Sequence, residues 1–186
     1  MASALRVVEA HKNIDDLSNT CPQYGMCWYA AYTSANHEKQ VAQQLVSREV
    51  EHFLPLYASI RQWKDRRVEL ELPLFPGYVF VRILLQERLR VLQVPGVAQL
   101  VGFGGVPAAL PAEEIEALRA SLAHGMRAEP HPFLVTGRRV RVKAGPLTGV
   151  EGILTRRKNR ARFILSLEPI QQSVAVVVDV ADLEPL

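Results

Sequence analysis

Three clusters in this chain hold side chains of types that could do work at a surface. Arg61, Trp63, Lys64, Arg66 and Arg67 fall within seven residues. Cations beside an indole suit a single nucleic-acid strand, since the charges meet phosphates and the ring stacks on a base. A solvated hairpin tip would use the same residues, and both readings stand. Arg156, Arg157, Lys158, Arg160 and Arg162 form a second basic run, suited to an anionic partner or simply to keeping a small domain soluble. The third cluster is aromatic: Phe75, Tyr78 and Phe80 bracket Pro76-Gly77, with Tyr32 upstream. Aromatic rings bury large areas at low entropic cost, and a tyrosine keeps a polar tip for an interface rim.

Catalytic patterns are missing. The sequence has no glycine-rich phosphate loop and no nucleophile motif, and its five histidines are scattered. His124 and His131 sit beside Gly125 and Pro132 and read as loop residues. Cys21 and Cys27 match no metal-knuckle spacing and are read as incidental thiols of a reducing compartment. The expectation is a chain without enzymatic activity, metal or cofactor.

The elements that must position these clusters can be read from periodicity. The chain has 186 residues, 48% of them hydrophobic, and a net charge of +3. This is ordinary globular composition with room for one mid-sized domain or two small ones. Nothing resembles a signal peptide or a span of roughly 18 apolar residues, so a cytoplasmic protein is expected. Residues 1–26 lack periodicity and read as a flexible leader. Trp28 to Thr33 reads as a strand. A helix follows, capped by Ser34 or Asn36. Its apolar face is assigned to Val41, Ala42, Leu45, Val46 and Val50, and its wet side to His37, Glu38, Lys39, Gln40, Gln43 and Gln44. Strands are predicted at Phe53–Tyr57, Val68–Leu72, Val79–Ile83 and Val97–Phe103, with helices at Glu87–Val94 and from Pro111 to Ala123. Lys39 is grouped with the cations around Trp63. The order implies an α+β sandwich over one antiparallel sheet, spanning 27–123. Residues 124–135, rich in Pro and Gly, read as a linker. Residues 136–186 read as four or five short strands closing a small barrel.

Two stretches are more specific. Pro73-Leu74-Phe75-Pro76-Gly77-Tyr78-Val79-Phe80-Val81 follows Trp28-Tyr29. Gly137-Arg138-Arg139-Val140-Arg141-Val142 precedes Gly145-Pro146-Leu147-Thr148-Gly149-Val150-Glu151-Gly152-Ile153-Leu154. In this order, with a linker between, they resemble the NusG family of transcription elongation factors, the second stretch resembling its KOW motif. The resemblance covers residues 28–186. It implies a ferredoxin-like N-terminal domain and an SH3-like barrel. In the KOW stretch, Gly145 and Gly149 are expected at positive φ and Gly152 at a close backbone approach.

The resemblance also implies partners. The N-terminal domain of the family grips the clamp helices of RNA polymerase's largest subunit in an aromatic hollow, here matched by Tyr32, Phe75, Tyr78 and Phe80. Phe80, in mid-strand, fits the core as well as the surface; the other three, beside turns, are read as interface. Lys39, Arg61, Trp63, Lys64, Arg66 and Arg67 would face non-template DNA. Arg156, Arg157, Lys158, Arg160 and Ile170 would form the KOW partner surface. The general factor offers Rho or a small-subunit ribosomal protein an aromatic in the loop here written Leu167 to Gln172. Ile170 stands in its place, a departure from the pattern. With the polar leader, this resembles specialised paralogs that act on particular long operons, suppressing pausing or termination. The alternative is a ribosome-associated RNA-binding protein built around the KOW barrel.

Overall fold

The computed structural model describes residues 25–63, 66–131, 137–157 and 160–186, except the side chains of residues 61, 63, 66, 156, 157, 160, 161 and 180. Most of the expected leader, with Cys21, and the residues Lys64 and Lys158 lie outside this set.

Alternation of apolar residues with no polar face is what a strand covered on both sides requires. Strand β1 (Cys27–Thr33) has this pattern and is buried at every position but Tyr32. It lies inside a five-stranded sheet with β2 (Glu51–Phe53), β5 (Tyr78–Ile83), β6 (Val97–Leu100) and β9 (Ala109–Leu110). The main order is β2-β5-β1-β6, with β9 also pairing β1, and all these pairings are antiparallel. One face carries Tyr29, Ala31, Val79 and Val81. Val41 and Leu45 of helix α1 (Glu38–Ser47) and Val91 of helix α2 (Arg88–Leu92) cover it. The other carries Trp28, Ala30 and Phe80 under Ile115 and Leu118 of helix α3 (Ala112–Ala123). The Trp28 indole Nε1 donates to Glu116 Oε1 at 3.1 Å, pinning α3 to the sheet.

Several local expectations are corrected. Helix α1 begins after His37, with neither Ser34 nor Asn36 as its cap. Val46 is exposed and Glu38 is buried, the reverse of their assignment. Pro111 is the N-cap of α3 rather than its first residue. The strand expected at Val97–Phe103 breaks after Leu100; Gly102–Phe103 (β7) instead pairs with Val106–Pro107 (β8) across the Gly104-Gly105 turn. The basic stretch at 61–67 is the tip of a ribbon. Strands β3 (Leu56–Trp63) and β4 (Arg66–Pro73) pair along their whole length in a separate two-stranded sheet. Cys27, read as a free thiol, is disulfide-bonded.

The second sheet has six strands, five of them within residues 136–186 as expected. Its order is β10-β14-β13-β12-β11-β15, formed by β10 (Ala128–His131), β11 (Arg138–Val142), β12 (Glu151–Arg157), β13 (Arg160–Leu167), β14 (Gln172–Val177) and β15 (Leu183–Pro185). Strand β10 lies in the stretch expected to be a linker and pairs antiparallel with β14. Val140, Phe163, Leu165, Val174 and Val176 line one side and belong to the same apolar cluster as Trp28, Phe80 and Leu118. The KOW-like glycines behave as expected. Gly145 and Gly149 have φ near +88° and +87°. At Gly152 an added Cβ would come within 2.4 Å of the Ile164 carbonyl oxygen and 2.6 Å of the Phe163 ring. No side chain fits there.

Candidate partner-binding site

The Phe75-Pro76-Gly77-Tyr78 turn is built from its own residue types. Proline presets φ at the second position of a β-turn, and a type II turn needs positive φ at the third, where glycine is unstrained. Gly77 has φ +84°, and Tyr78 N–H donates to the Phe75 carbonyl at 3.1 Å, closing the four-residue ring. The turn delivers the chain into β5, where period-two alternation sets Val79 and Val81 on one face and Tyr78 and Phe80 on the other.

Register then fixes the ring geometry. Tyr32 of β1 lies directly across from Tyr78 of β5, and their ring centroids are 5.5 Å apart at 51°. This spacing falls in the range of favourable tilted pairs. Phe75 meets Phe80 edge-to-face at 5.2 Å, and Phe80 stacks on Phe53 at 6.3 Å. The four rings assigned to one hollow therefore divide. Tyr32 is 44% exposed and Tyr78 half-buried, whereas Phe75 is 1% and Phe80 0% exposed. Phe75, read as interface, is core; so is Phe80. Both belong to the buried apolar cluster against which Tyr78 packs. Burial, and secondarily the neighbouring Tyr32 phenol, raises the Tyr78 pKa above its ordinary value.

One residue at this turn escaped the sequence reading. Glu38, assigned to the wet side of α1, is only 5% exposed, and its Oε1 accepts the Gly77 N–H at 2.7 Å. The signal was present: Glu38, Val41 and Leu45 are spaced 3 and 4 apart, and all three are the buried residues of the helix. On the other side of the turn, Thr33 N–H donates to the Gly77 carbonyl at 2.8 Å. Gly77 is thus held from both α1 and β1.

The remaining predicted residues are elsewhere. Arg61, Trp63 and Arg66 belong to the distal end of the β3–β4 ribbon, where Trp63 pairs with Arg66 and Gln62 with Arg67. Arg67 is exposed, and Lys64 lies outside the described residues. Lys39 is exposed on α1. Arg156, Arg157 and Arg160 lie at the β12–β13 junction, with Arg157 opposite Arg160. Arg162, at the end of that run, is ion-paired to Glu129 at 3.0 Å. Ile170 is a correction: it sits in a single helical turn, Glu168–Ile170, and is only 5% exposed. It belongs to the buried apolar cluster, where an exposed ring had been the family comparison. On β11, Arg139 and Arg141 both bind Glu151, at 3.0 and 2.6 Å. That bond and the Glu151 charge raise the Arg141 pKa.

Among the described residues no His/Cys/Asp/Glu group is placed to hold a metal ion. No helix there is long and apolar enough to cross a membrane.

Comparison with known proteins bears on this geometry. The family model described as transcription termination factor nusG matches residues 26–119, which include the β1–β5 pair, the turn and all four rings. This chain belongs to the NusG family. Curated relatives of the family include the transcription termination/antitermination protein NusG of Rickettsia bellii, 23% identical over 85% of this chain and 90% of that one. The NusG of Borreliella burgdorferi is 24% identical over 86% of this chain and 98% of its own length. Among solved structures, that of Thermotoga maritima NusG, described in terms of domain interaction, aligns with a TM-score of 0.53. It is 23% identical and covers 87% of this chain and 97% of that one. That likeness supports the mixed α/β fold.

Proposed function

We propose that this NusG-family chain is a transcription elongation and antitermination factor that binds RNA polymerase through the Tyr32–Tyr78 pair. The proposed contact is the clamp helices of the largest subunit. The observation that carries this reading is two half-open tyrosines, 5.5 Å apart on paired strands, with Tyr78 packed against the cluster that holds the buried Phe75 and Phe80. Such a pair offers a helical partner apolar area with hydroxyls at the rim, and the phenylalanines fix its position without touching the partner. The two units are read as a ferredoxin-like domain and an SH3-like KOW barrel, working in the cytoplasm. The exposed Arg67 and the tip of the β3–β4 ribbon would approach non-template DNA.

The effect on transcription is mechanical. A protein that prefers a closed clamp disfavours the open states that lead to pausing, by no more than its difference in affinity for the two. The barrel would recruit a second partner, held close to polymerase by its covalent attachment to the first unit. With Ile170 buried, recognition of Rho or a small-subunit ribosomal protein would fall to other residues of the barrel, including the Arg156–Arg160 run. We also read the chain as a specialised paralog serving particular long operons.

The test is co-purification of the full chain with core RNA polymerase, comparing wild type with Tyr78→Ala. Loss of co-purification by a folded variant is the expected result. Retention at wild-type level, or wild-type protein that follows ribosomes and ignores polymerase, refutes the reading.

A further inference from the structure

Glu38 is an ionisable side chain with almost no exposure, on a helix whose other buried residues are aliphatic. Burying a carboxylate is costly unless its charge is compensated and its oxygens are hydrogen-bonded. Two features supply this. Glu38 is the first residue of α1, where the helix presents free N–H groups and the positive end of its dipole. Its Oε1 takes the Gly77 N–H at 2.7 Å, a charge-assisted bond of the stronger kind.

The backbone accounting of the turn shows what this bond controls. Pro76 has no N–H. Tyr78 N–H is used within the turn, and the Gly77 carbonyl accepts from Thr33. The Gly77 N–H has Glu38 as its acceptor. Gly77 also lies under a site ring, since a Cβ on it would come 3.3 Å from Tyr32 Cε2. Gly77 therefore touches one tyrosine of the pair and is bonded along the chain to the other.

We infer that Glu38 is the positioning residue of the tyrosine pair, clamping the Gly77 amide so that Tyr32 and Tyr78 are presented at fixed spacing. It acts through the turn from the opposite face of the sheet and does not itself touch the partner. This rests on the proposed role of the tyrosines in binding polymerase. Interface energy gained by preorganisation is lost when the supporting contact is removed, even with every contact residue present.

The experiment measures the affinity of the full chain for core RNA polymerase in five forms: wild type, Glu38→Gln, Glu38→Ala, Tyr32→Ala and Tyr78→Ala. Alongside it, the Gly77 amide proton is followed by two-dimensional NMR. Glutamine keeps an acceptor oxygen, so Glu38→Gln is expected to bind within about threefold of wild type. Glu38→Ala is expected to lose about tenfold or more, equivalent to about 1.4 kcal/mol, with the Gly77 amide signal moving upfield. In wild type that amide should sit downfield and exchange slowly, a readout that needs no variant to fold. Fast exchange of the wild-type Gly77 amide overturns the inference, as does a Glu38→Ala protein that binds like wild type. Equal losses for Gln and Ala overturn it too, because they indicate a requirement for charge instead of an acceptor. If Tyr32→Ala and Tyr78→Ala leave affinity unchanged, the tyrosine reading itself has failed. If only the Glu38 variants are silent, the positioning role alone has failed.

Discussion

Replacing Tyr32 with alanine should cost mainly affinity, whereas replacing Phe80 should cost mainly stability. A tyrosine side chain presents about 200 Å² in the unfolded chain, and Tyr32 remains 44% exposed. About 90 Å² is therefore left for a partner to cover, worth ~2.2 kcal/mol at ~25 cal/mol per Å². At about 1.4 kcal/mol per decade this is a ~40-fold loss of affinity. The fold loses less, because the ring is nearly half outside and its contact with Tyr78 is worth ~0.5–1.5 kcal/mol. Phe80 is 0% exposed and packs against Phe75 and Phe53. It has no area left to give a partner, and truncation to alanine should destabilise the protein by ~3–5 kcal/mol. The assay pairs titration of labelled full-length protein against core RNA polymerase with urea denaturation of the same preparations. A folded Tyr32→Ala protein that binds within about twofold of wild type would refute the assignment of that area to the interface. A Phe80→Ala protein of undiminished stability would refute the separation of core from contact surface.

Two further outcomes follow from local geometry. Gly152→Ala places a methyl against the Ile164 carbonyl and the Phe163 ring. Overpacking of this kind costs ~1–3 kcal/mol, lowering the melting temperature by roughly 2–4 °C for each kcal/mol. Gly149→Ala has open space and only its φ of +87° to oppose it, at about 1 kcal/mol. Calorimetry should rank Gly152→Ala as the less stable, and the reverse order would contradict the close approach. Burial raises the phenol pKa of both Tyr29 and Tyr78. The folded protein then retains protons that the unfolded chain releases, so this contribution is intact below the ordinary phenol pKa and is lost as pH rises through the folded one. Urea midpoints should fall between about pH 9 and about pH 11, more steeply in wild type than in Tyr78→Phe. Identical profiles would count against the burial of that phenol.

How much of this was legible in the sequence depended on whether the deciding interaction was local. The Phe75–Tyr78 turn was, because proline and glycine impose their torsions wherever the chain goes, and Gly77 has the φ of +84° that its position requires. The KOW-like Gly145 and Gly149 were legible for the same reason. Residues 124–135 misled: Pro and Gly content suggested a linker, yet Pro130 lies in β10, an end strand of the six-stranded order. An edge tolerates a residue without an N–H, so composition could not distinguish the two. Phe75 misled differently, since standing beside a turn says nothing of what covers it, and Phe80 covers it.

Glu38 shows where local reasoning ends. Its place on the Val41–Leu45 stripe was readable from spacing alone, but a glutamate on a buried stripe normally argues for shifting the helix's apolar face rather than for burying the charge. What reverses that argument is an N–H donor 39 residues away in the chain, brought alongside by the β1–β5 register. The register, in turn, is held by apolar alternation on both faces of those strands, since a one-residue slip would exchange the two sets of side chains. The polar contact at the turn is thus a consequence of the hydrophobic pattern that aligns the strands. Residues that hold a surface turn from behind are for this reason harder to read than the rings beside it. The rings announce themselves by type, while the carboxylate acquires its role only when the sheet has formed.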